Sequence, residues 1–284
     1  MATGVPMTQK DDYQLLDSGD GFKLECFGPY VLSRPCAQAV WKKNLPESAW
    51  KSAHASFCRV GETRWEKKGN LPEFWTIETS GIKFKLSTTE FGHLGIFAEQ
   101  KPFWEKLQSI KSDRTLRALN LFAYSGGSTL AAAKAGFETC HLDASKGMVA
   151  WARENASLNG LDKAPIRWIV EDVQKFLERE IRRNSLYDII ILDPPTFGRG
   201  AKGEVFKIET DIIPLLTSCR KLLTEKPKLI LFSCHTPGFT PIVLEHLLTQ
   251  SFGDLKGVMK SGEMLLDGPM SIPSGSYAYI DFQP

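Results

Sequence analysis

An acidic residue followed by two prolines ends the most apolar run of the chain. Residues 188–192 lead directly into Asp193, Pro194 and Pro195, and Phe197 follows two positions later. Because proline has no N–H, Pro194 and Pro195 leave backbone carbonyls open to a base amine. Phe197 offers a ring for stacking, and Asp193 is a second acceptor. We predict that Asp193 is catalytic and that the other three hold a flipped nucleobase; the alternative is an ordinary strand exit.

A turn of small residues lies between a predicted strand and a predicted helix within residues 119–131. Backbone N–H groups at a helix start point at whatever binds there. Only Gly126 and Gly127 occur in this turn, whereas a pyrophosphate requires the three glycines of G-x-G-x-x-G. An adenosyl ligand without phosphates fits better, so we predict S-adenosylmethionine as cofactor, with a plain tight turn as the alternative. The predicted contacts are Asn120, Phe122, Tyr124, Ser125, Gly126 and Gly127.

Two further acids follow neighbouring predicted strands. Asp143, sixteen residues after Gly127, is placed to accept hydrogen bonds from both ribose hydroxyls, and Asp172 to accept one from an adenine amino group. Each acid is alternatively a cap of the helix that follows it. The remaining predicted cofactor contacts are Ala144, Ser145 and Val173 and, from segment 91–100, Phe97 and Gln100. A plain hairpin is an equal reading of segment 91–100.

Cys234 ends a later apolar strand and is predicted at the same sheet edge as Asp193. Methylation of carbon 5 of a pyrimidine requires temporary addition of a nucleophile at carbon 6, and cysteine suits that role. We therefore predict Cys234 as a catalytic nucleophile, with a buried filler thiol as the alternative. His235 is adjacent on an extended strand, so we expect it on the opposite face and assign it no catalysis.

The elements that position these residues alternate between apolar runs and helix-length amphipathic segments beyond residue 116. That alternation predicts a parallel sheet flanked by helices. The predicted strands are 116–122, 139–144, 166–170, 187–192, 229–233 and 277–282. The predicted helices are 128–135, 145–158, 173–183, 212–223 and 241–250.

The predicted fold class is α/β, a Rossmann-like doubly wound sheet with a small N-terminal β-rich domain. Short apolar stretches separated by turn signals over residues 13–87 predict the β-rich part. We place this module at 1–88, a linker with a cofactor-covering hairpin at 89–115, and the catalytic domain at 116–284. About two domains are also what a chain of 284 residues would hold.

Composition narrows the class of protein. A hydrophobic fraction of 42% and a charged fraction of 24% are ordinary for a folded globular chain. No apolar run approaches the roughly 18 residues that a membrane span needs, and the first residues do not read as a signal peptide, so we expect a cytoplasmic location and no membrane. The six cysteines are irregularly spaced, which favours free thiols and no metal site.

The first module mixes cations with aromatic residues, as single-stranded nucleic-acid surfaces do. A solvated basic face is the alternative, and the net charge of +2 is too small to decide between them. The residues concerned are Arg34, Trp41, Lys42, Lys43, Arg64, Trp65, Lys67 and Lys68.

Taken together, these motifs resemble one family, the class I S-adenosylmethionine-dependent RNA methyltransferases. The segments that carry the likeness are Asn120–Gly127, Asp143–Ser145, Asn155, Asn159–Gly160, 193–198 and Ser233–Cys234. Over roughly residues 91–284 the chain looks most like the ribosomal RNA large-subunit methyltransferase I group, which methylates carbon 5 of a cytosine. The resemblance implies a Rossmann-like domain active in rRNA processing, with Asp193 holding the target base and Cys234 at the nucleophile position.

Three other functions stay open on sequence grounds. The first is methylation of a nitrogen of adenine or guanine, which needs no thiol. The second is a non-catalytic RNA-binding protein with the same fold, and the third is a nicotinamide-dependent oxidoreductase. We expect RNA, most simply ribosomal RNA, as the partner, and leave the oligomeric state open.

Overall fold

The computed structural model describes residues 11–58, 64–68, 70–200 and 203–282. The chain divides into two compact units, Met1–Lys101 with Leu266–Ile272, and Pro102–Leu265 with Pro273–Pro284. The late segment joins the first unit because Leu266 and Ile272 share a small buried cluster with Leu15 and its neighbours. The predicted boundaries instead assign Leu266–Ile272 to the catalytic domain at 116–284.

The first unit is built mainly from short strands. Its elements are β1 (Tyr13–Gly19), β2 (Phe22–Phe27), β3 (Tyr30–Pro35), the short helix α1 (Glu47–Lys51), β4 (Ala55–Cys58), β5 (Arg64–Lys67), β6 (Phe74–Thr79) and β7 (Ile82–Ser87). Strands β1 to β5 form one sheet in chain order, in which only the β3–β4 pair is parallel. Strands β6 and β7 form a separate hairpin, whose alternate residues are buried as one-sided packing requires.

The first unit does not expose all of the predicted basic and aromatic residues. Glu25 is buried and accepts hydrogen bonds from Arg34 Nε and Nη2, both at 2.8 Å. A buried charge is tolerated only with a partner, so Arg34 serves this pair and is not on a nucleic-acid surface. The indole of Trp41 is likewise committed, since Nε1 donates to the carbonyl of Ser18 at 3.0 Å.

Residues 88–109 form no hairpin of strands. A closed loop, in which Thr89 N donates to the carbonyl of His93 at 3.0 Å, leads to a 3-10 helix at Ala98–Gln100. Helix α2 (Lys101–Ser109) follows, and its buried residues Phe103, Trp104 and Leu107 recur at helical spacing. The segment 89–115, predicted as a linker with a hairpin, therefore contains a loop, a 3-10 helix and an α-helix instead.

The second unit holds a seven-stranded sheet between helices. Its further elements are β8 (Arg117–Leu121), α3 (Gly127–Lys134), β9 (Glu138–Asp143), α4 (Lys146–Leu158), β10 (Ile166–Val170), α5 (Val173–Arg182), β11 (Ile189–Leu192), β12 (Phe197–Arg199), β13 (Val205–Lys207), α6 (Ile208–Lys221), β14 (Leu229–Cys234), α7 (Pro241–Phe252), β15 (Val258–Leu266) and β16 (Ile272–Asp281). The strand order is β10-β9-β8-β11-β14-β16-β15. The predicted fold class is confirmed.

The first five strands of this order are parallel, and β16 runs antiparallel to β14. The strand order reverses between β8 and β11, which is where open α/β sheets bind ligands at the carboxyl ends of their strands. Register places Leu142, Leu121, Leu192 and Phe232 side by side across four strands. The loops that follow these strands therefore start at one edge.

Some element bounds differ from the predictions. Strand β15 was not predicted, because charged residues interrupt its apolar pattern. Helix α6 begins at Ile208 instead of residue 212, since Asp211 Oδ2 accepts the N–H of Lys207 at 2.7 Å and so stabilises an earlier helix start. Among the described residues, no helix has both the length and the apolar character that crossing a bilayer demands.

Candidate active site

The loop between β8 and α3 carries three residues with positive φ. Phe122 and Tyr124 adopt φ of 55° and 49°, and Gly126 adopts 94°. Such angles are strained in residues with a side chain, and they persist where surrounding contacts hold them. Three of these contacts join the loop to its neighbours: Ala123 N donates to the carbonyl of Leu142, Tyr124 N to Asp143 Oδ2, and Asn155 Nδ2 to the carbonyl of Ser125. The loop is therefore fixed before any ligand binds.

Both glycines of the loop are required by close packing. A Cβ on Gly127 would lie 2.7 Å from the Trp104 indole, and one on Gly126 would lie 3.1 Å from Ala152 Cβ. Gly126 is also the N-cap of α3. Because glycine has no side chain, the start of this helix has no side-chain cap. The backbone N–H groups of this first turn can therefore serve a bound ligand.

Asp143 lies at the end of β9 and makes one hydrogen bond with each carboxylate oxygen. Oδ2 accepts from Tyr124 N at 2.9 Å, and Oδ1 accepts from Ser145 N at 2.8 Å. Burial raises the pKa of this carboxyl, and the two backbone hydrogen bonds oppose that rise. A carboxylate oxygen has two lone pairs, so each can accept one further hydroxyl. The predicted capping alternative does not apply to Asp143, because Ser145 is the N-cap of α4.

A buried polar chain supports the loop from below. Asn120 Nδ2 donates to Thr129 Oγ1 at 2.9 Å, and Thr129 Oγ1 lies 2.9 Å from His141 Nδ1. All three side chains are buried. Burial lowers the pKa of His141 from 6.5 to about 3, so this imidazole is neutral. Asn120 thus joins β8 to α3 directly beneath the predicted cofactor contacts.

The other predicted cofactor residues fall in different settings. Asp172 is the N-cap of α5 and accepts the N–H of Lys175 with Oδ1 at 3.1 Å, so it has the capping role, and Val173 is buried in the core. Ala144 and Ser145 follow Asp143 at the same edge. Phe97 and Gln100 belong to the first compact unit, where Phe97 packs on His93 with ring centroids 5.4 Å apart.

Asp193 directly follows β11, beside the cofactor loop that follows β8. Its side chain is 27% exposed, and Oδ1 lies 3.4 Å from His235 Nδ1. A second link joins these loops, because Thr196 Oγ1 and Thr236 Oγ1 lie 2.8 Å apart. The segment after β11 and the segment after β14 therefore form one wall of the edge.

Cys234, the last residue of β14, is 1% exposed and belongs to the main core cluster. Its Sγ accepts a weak hydrogen bond from Thr236 N at 3.4 Å. Burial raises the pKa of this thiol, which disfavours the thiolate that a nucleophile requires. The thiol nevertheless lies close enough to Asp193 and His235 to interact electrostatically with both.

His235 is a site residue that the sequence reasoning misplaced. Alternation along the strand predicts that His235 faces away from Cys234, but β14 ends at Cys234, so His235 is no longer bound by strand alternation. Gly275 leaves room for the ring, since a Cβ there would lie 3.2 Å from His235 Cδ2. No sequence signal marks the contact of His235 with Asp193, because the two residues lie 42 positions apart in the chain.

The hairpin of β12 and β13 extends the Asp193 segment. Register pairs Phe197 with Lys207 and Arg199 with Val205, and these four side chains share an exposed face. Phe197 is 48% exposed, with the Arg199 guanidinium 5.6 Å from its ring centroid. The opposite face carries Phe206, which is buried and packs on Phe122 with ring centroids 5.0 Å apart. The outer face is thus aromatic and cationic.

The sequence also matches a known family. Residues 58–251, more than half of the chain, match the family described as S-adenosylmethionine-dependent methyltransferase. The chain belongs to this family. It is a methyltransferase, and S-adenosylmethionine is its cofactor.

Solved structures agree on the fold. A methyltransferase of Agrobacterium tumefaciens that depends on S-adenosylmethionine is 37% identical and superposes with a TM-score of 0.93, covering 100% of this chain and 97% of that one. A Streptococcus mutans methyltransferase structure has a TM-score of 0.77 at 22% identity, covering 97% of this chain and 76% of that one, and shows the fold alone.

Curated relatives are longer proteins named ribosomal RNA large subunit methyltransferase K/L. The protein from Pseudoalteromonas translucida (strain TAC 125) is 32% identical over 181 residues, which are 63% of this chain and 25% of that protein. The protein from Hahella chejuensis (strain KCTC 2396) is 33% identical over 63% of this chain and 24% of its own length. The chain spans about a quarter of these relatives. Their name is not that of the methyltransferase I group to which the motifs were compared.

The residues at the edge fit S-adenosylmethionine. Asp143, partly buried with two oxygens that each accept one backbone hydrogen bond, suits a pair of ribose hydroxyls. The uncapped start of α3 suits a carboxylate, because the partial positive charge of a helix N-terminus attracts anions. These donors and acceptors match an amino-acid nucleoside better than a pyrophosphate.

Proposed function

We propose that this chain transfers a methyl group from S-adenosylmethionine to a base of large-subunit ribosomal RNA. One observation carries the proposal: register brings the ends of β9, β8, β11 and β14 to a single edge, so the Asp143 side and the Asp193 side adjoin. Adjacent strands lie about 4.8 Å apart, so Asp143 and Asp193 are separated by roughly 10 Å, a span that suits a donor lying between them. The names of the K/L relatives support RNA as substrate.

On the donor side, we assign Asp143 to the ribose hydroxyls and the backbone of residues 125–127 to the methionine carboxylate. Asp172 stands at the end of the neighbouring strand β10, where an adenine amino group needs an acceptor. Its Oδ2 makes that contact while Oδ1 continues to cap α5. Asn120 supports the loop through Thr129, which accounts for its burial. When bound, the cofactor supplies an electrophilic methyl group on a sulfonium.

On the substrate side, we assign Asp193 and the carbonyl of Pro194 to the polar edge of the base, and Phe197 and Pro195 to its ring face. Phe197 and Pro195 are both exposed, as stacking requires. Arg199 and Lys207 on the same face of the hairpin suit the phosphates of a single strand, because stacking and cationic contacts together hold unpaired nucleic acid. The target base is therefore read outside a duplex.

The acceptor atom that this arrangement supports best is a nitrogen of adenine or guanine. A nitrogen has its own lone pair and needs no covalent help, whereas carbon 5 of a pyrimidine does. The buried Cys234, with its raised pKa, favours the route without a thiolate. Asp193 then accepts from the base and orients its lone pair toward the methyl group.

Methylation of cytosine carbon 5 is the second candidate. Its supporting observation is that Cys234 ends the strand next to Asp193 and interacts electrostatically with both Asp193 and His235. Here the Cys234 thiolate adds to carbon 6, methyl transfer follows at carbon 5, and loss of the carbon 5 proton expels the thiolate. This route requires the Cys234 side chain to reach the base from its buried position.

The test measures tritium transfer from labelled S-adenosylmethionine to ribosomal RNA, followed by mass analysis of the methylated nucleoside. Cys234→Ala is compared with Cys219→Ala, a buried cysteine on α6 away from the edge. A methylated purine, with full activity of Cys234→Ala, supports the nitrogen route. Methylcytosine that disappears only in Cys234→Ala supports the second candidate. Donor binding with no transfer to RNA would overturn the proposal and favour a non-catalytic RNA-binding protein.

A cytoplasmic location, where this RNA is made and assembled, is part of the same proposal. All six cysteines are free thiols, which suits a reducing compartment.

A further inference from the structure

Methyl transfer to a base amine releases a proton, and a group at the site must receive it. The acceptor must lie on the substrate side of the edge and be basic near neutral pH. Histidine is the side chain whose charge ordinarily changes in that range. His235 satisfies the position, because it stands beside Asp193 after β14.

We propose that His235 is the base that accepts this proton and that Asp193 holds its ring and stabilises the charge it acquires; the proposal rests on the proposed function. Nδ1 of His235 lies 3.4 Å from Asp193 Oδ1. With Nδ1–H directed at a carboxylate, Nε2 becomes the basic nitrogen, as in the acid-histidine pairs of hydrolases. In structures without substrate such contacts are often long and shorten in the reactive complex.

Methyl transfer to a nitrogen acceptor forms one bond, breaks one bond and moves one proton. The nitrogen lone pair forms the bond to the methyl carbon, and the carbon–sulfur bond breaks with its electron pair left on sulfur. The positive charge then on nitrogen is lost when its proton moves to His235 Nε2. The imidazolium next to the Asp193 carboxylate returns the proton to water after product release. If carbon 5 is the acceptor, the proton comes from carbon 5 instead.

The surroundings of His235 suit this role. Its side chain is 33% exposed, so it meets both substrate and solvent. Within the described part of the chain, the titratable groups that interact with it include Asp193, from the end of β11, and Cys234, from its own strand. From β16, Gly275 adopts φ of 130° and leaves space for the ring, next to the uncharged Met264 of β15. A side chain at 275 would push the ring away from Asp193.

The experiment compares His235→Gln and His235→Ala with the wild type and with His246→Gln, an exposed histidine on α7. Methyl transfer to ribosomal RNA is followed against pH at saturating donor and RNA, and binding of both is measured separately. We expect about a 10²-fold loss of kcat in both His235 variants, with binding unchanged, because general bases contribute rates of that order. We also expect the acid limb of the wild-type pH profile to disappear, and added imidazole to restore part of the rate of His235→Ala but not of His235→Gln.

Two results distinguish a failure of the proposed function from a failure of the proposed role of His235. If the wild type binds donor and RNA but transfers no methyl group, the proposed function itself is wrong. If the wild type is active and the His235 variants keep its kcat, or keep the shape of its pH profile without imidazole rescue, His235 only braces the loop. His246→Gln must match the wild type for either conclusion to stand.

Discussion

The two ends of strand β11 carry the same acid in opposite circumstances. Asp188, just before the strand, is 1% exposed and accepts two hydrogen bonds from Arg114, one from Arg117 N and one from Thr224 Oγ1. Asp193, just after it, is 27% exposed beside the imidazole of His235. Burial would raise the pKa of Asp188, but its hydrogen bonds lower it below the usual value.

From this difference we infer that the amino end of the sheet serves stability and the carboxyl end serves chemistry. At the amino end, permanent cations and backbone groups fill the lone pairs of the acid. At the carboxyl end, the acids meet backbone amides and a titratable ring, and they lie where ligands reach them. The four predictions that follow test this contrast, from the largest expected effect to the smallest.

Replacing the acid at the carboxyl end should abolish turnover without unfolding the protein. For Asp193→Asn we expect methyl transfer to RNA to fall about 10³-fold, or about 4 kcal/mol, because the base loses its acceptor and His235 its charge partner. The melting temperature and donor affinity should stay close to the wild type. An Asp193→Asn protein that melts early would place Asp193 with the structural acids.

Replacing the acid at the amino end should do the reverse. Asp188→Ala leaves Arg114, Arg117 N and Thr224 without their acceptor, and we expect the free energy of unfolding to fall by about 3 kcal/mol. Urea denaturation measures this loss, with Asp254→Ala as control, because Asp254 pairs with Arg220 at the exposed surface, where an ion pair contributes little to stability. Equal effects of the two substitutions would contradict the contrast.

Asp143→Asn should weaken donor binding in particular. The amide cannot accept at both positions, so either Tyr124 N or Ser145 N loses its partner and one ribose hydroxyl loses an acceptor. We expect about a 30-fold weaker affinity for S-adenosylmethionine, or about 2 kcal/mol, by titration calorimetry. RNA binding should not change. Wild-type donor affinity would remove Asp143 from the cofactor site.

Low pH should destabilise the protein through the buried hydrogen-bonded side chains of Asn120, Thr129 and His141. His141 has a pKa lowered to about 3 when folded and near 6.5 when unfolded, so the unfolded chain takes up a proton first as pH falls below 6.5. The contribution of the neutral His141 to the free energy of unfolding is complete above pH 6.5. It is lost toward pH 3, by about 1 kcal/mol in the first pH unit below 6.5. His141→Asn, which cannot titrate, should have a shallower pH dependence of unfolding, and His246→Asn should keep that of the wild type. Parallel curves for both variants would show that His141 titrates normally.

The sequence located the parallel strands of the sheet well, because buried strands read as continuous apolar runs. Strand β10 matched its predicted bounds, and β8, β9, β11 and β14 differed from theirs by one or two residues at an end. Where apolar runs were interrupted the prediction was incomplete. Strand β16 was predicted only from residue 277 because Pro273 and Gly275 lie within it.

The site was accessible to sequence reasoning to the extent that residues follow strand ends. Asp143 and Asp193 are such residues, and the shared edge of the fold brings them together. Contacts between loops were not accessible. The His235–Asp193 pair and the Thr196–Thr236 hydrogen bond depend on how two loops bend after their strands end. The ion pair of Arg34 with the buried Glu25 was also unforeseeable, because Glu25 lies on another strand.

Leu142, Leu121, Leu192 and Phe232 form a matched row across four strands. Because of this row, the edge is sensitive to an inserted residue within a strand and tolerates one in the connection before the strand. A single inserted residue within β11 would turn every following side chain of that strand to the other face and carry Asp193 away from His235. The same insertion in the connection before the strand leaves the row intact. We therefore expect an insertion before β11 to be tolerated better than an insertion within it.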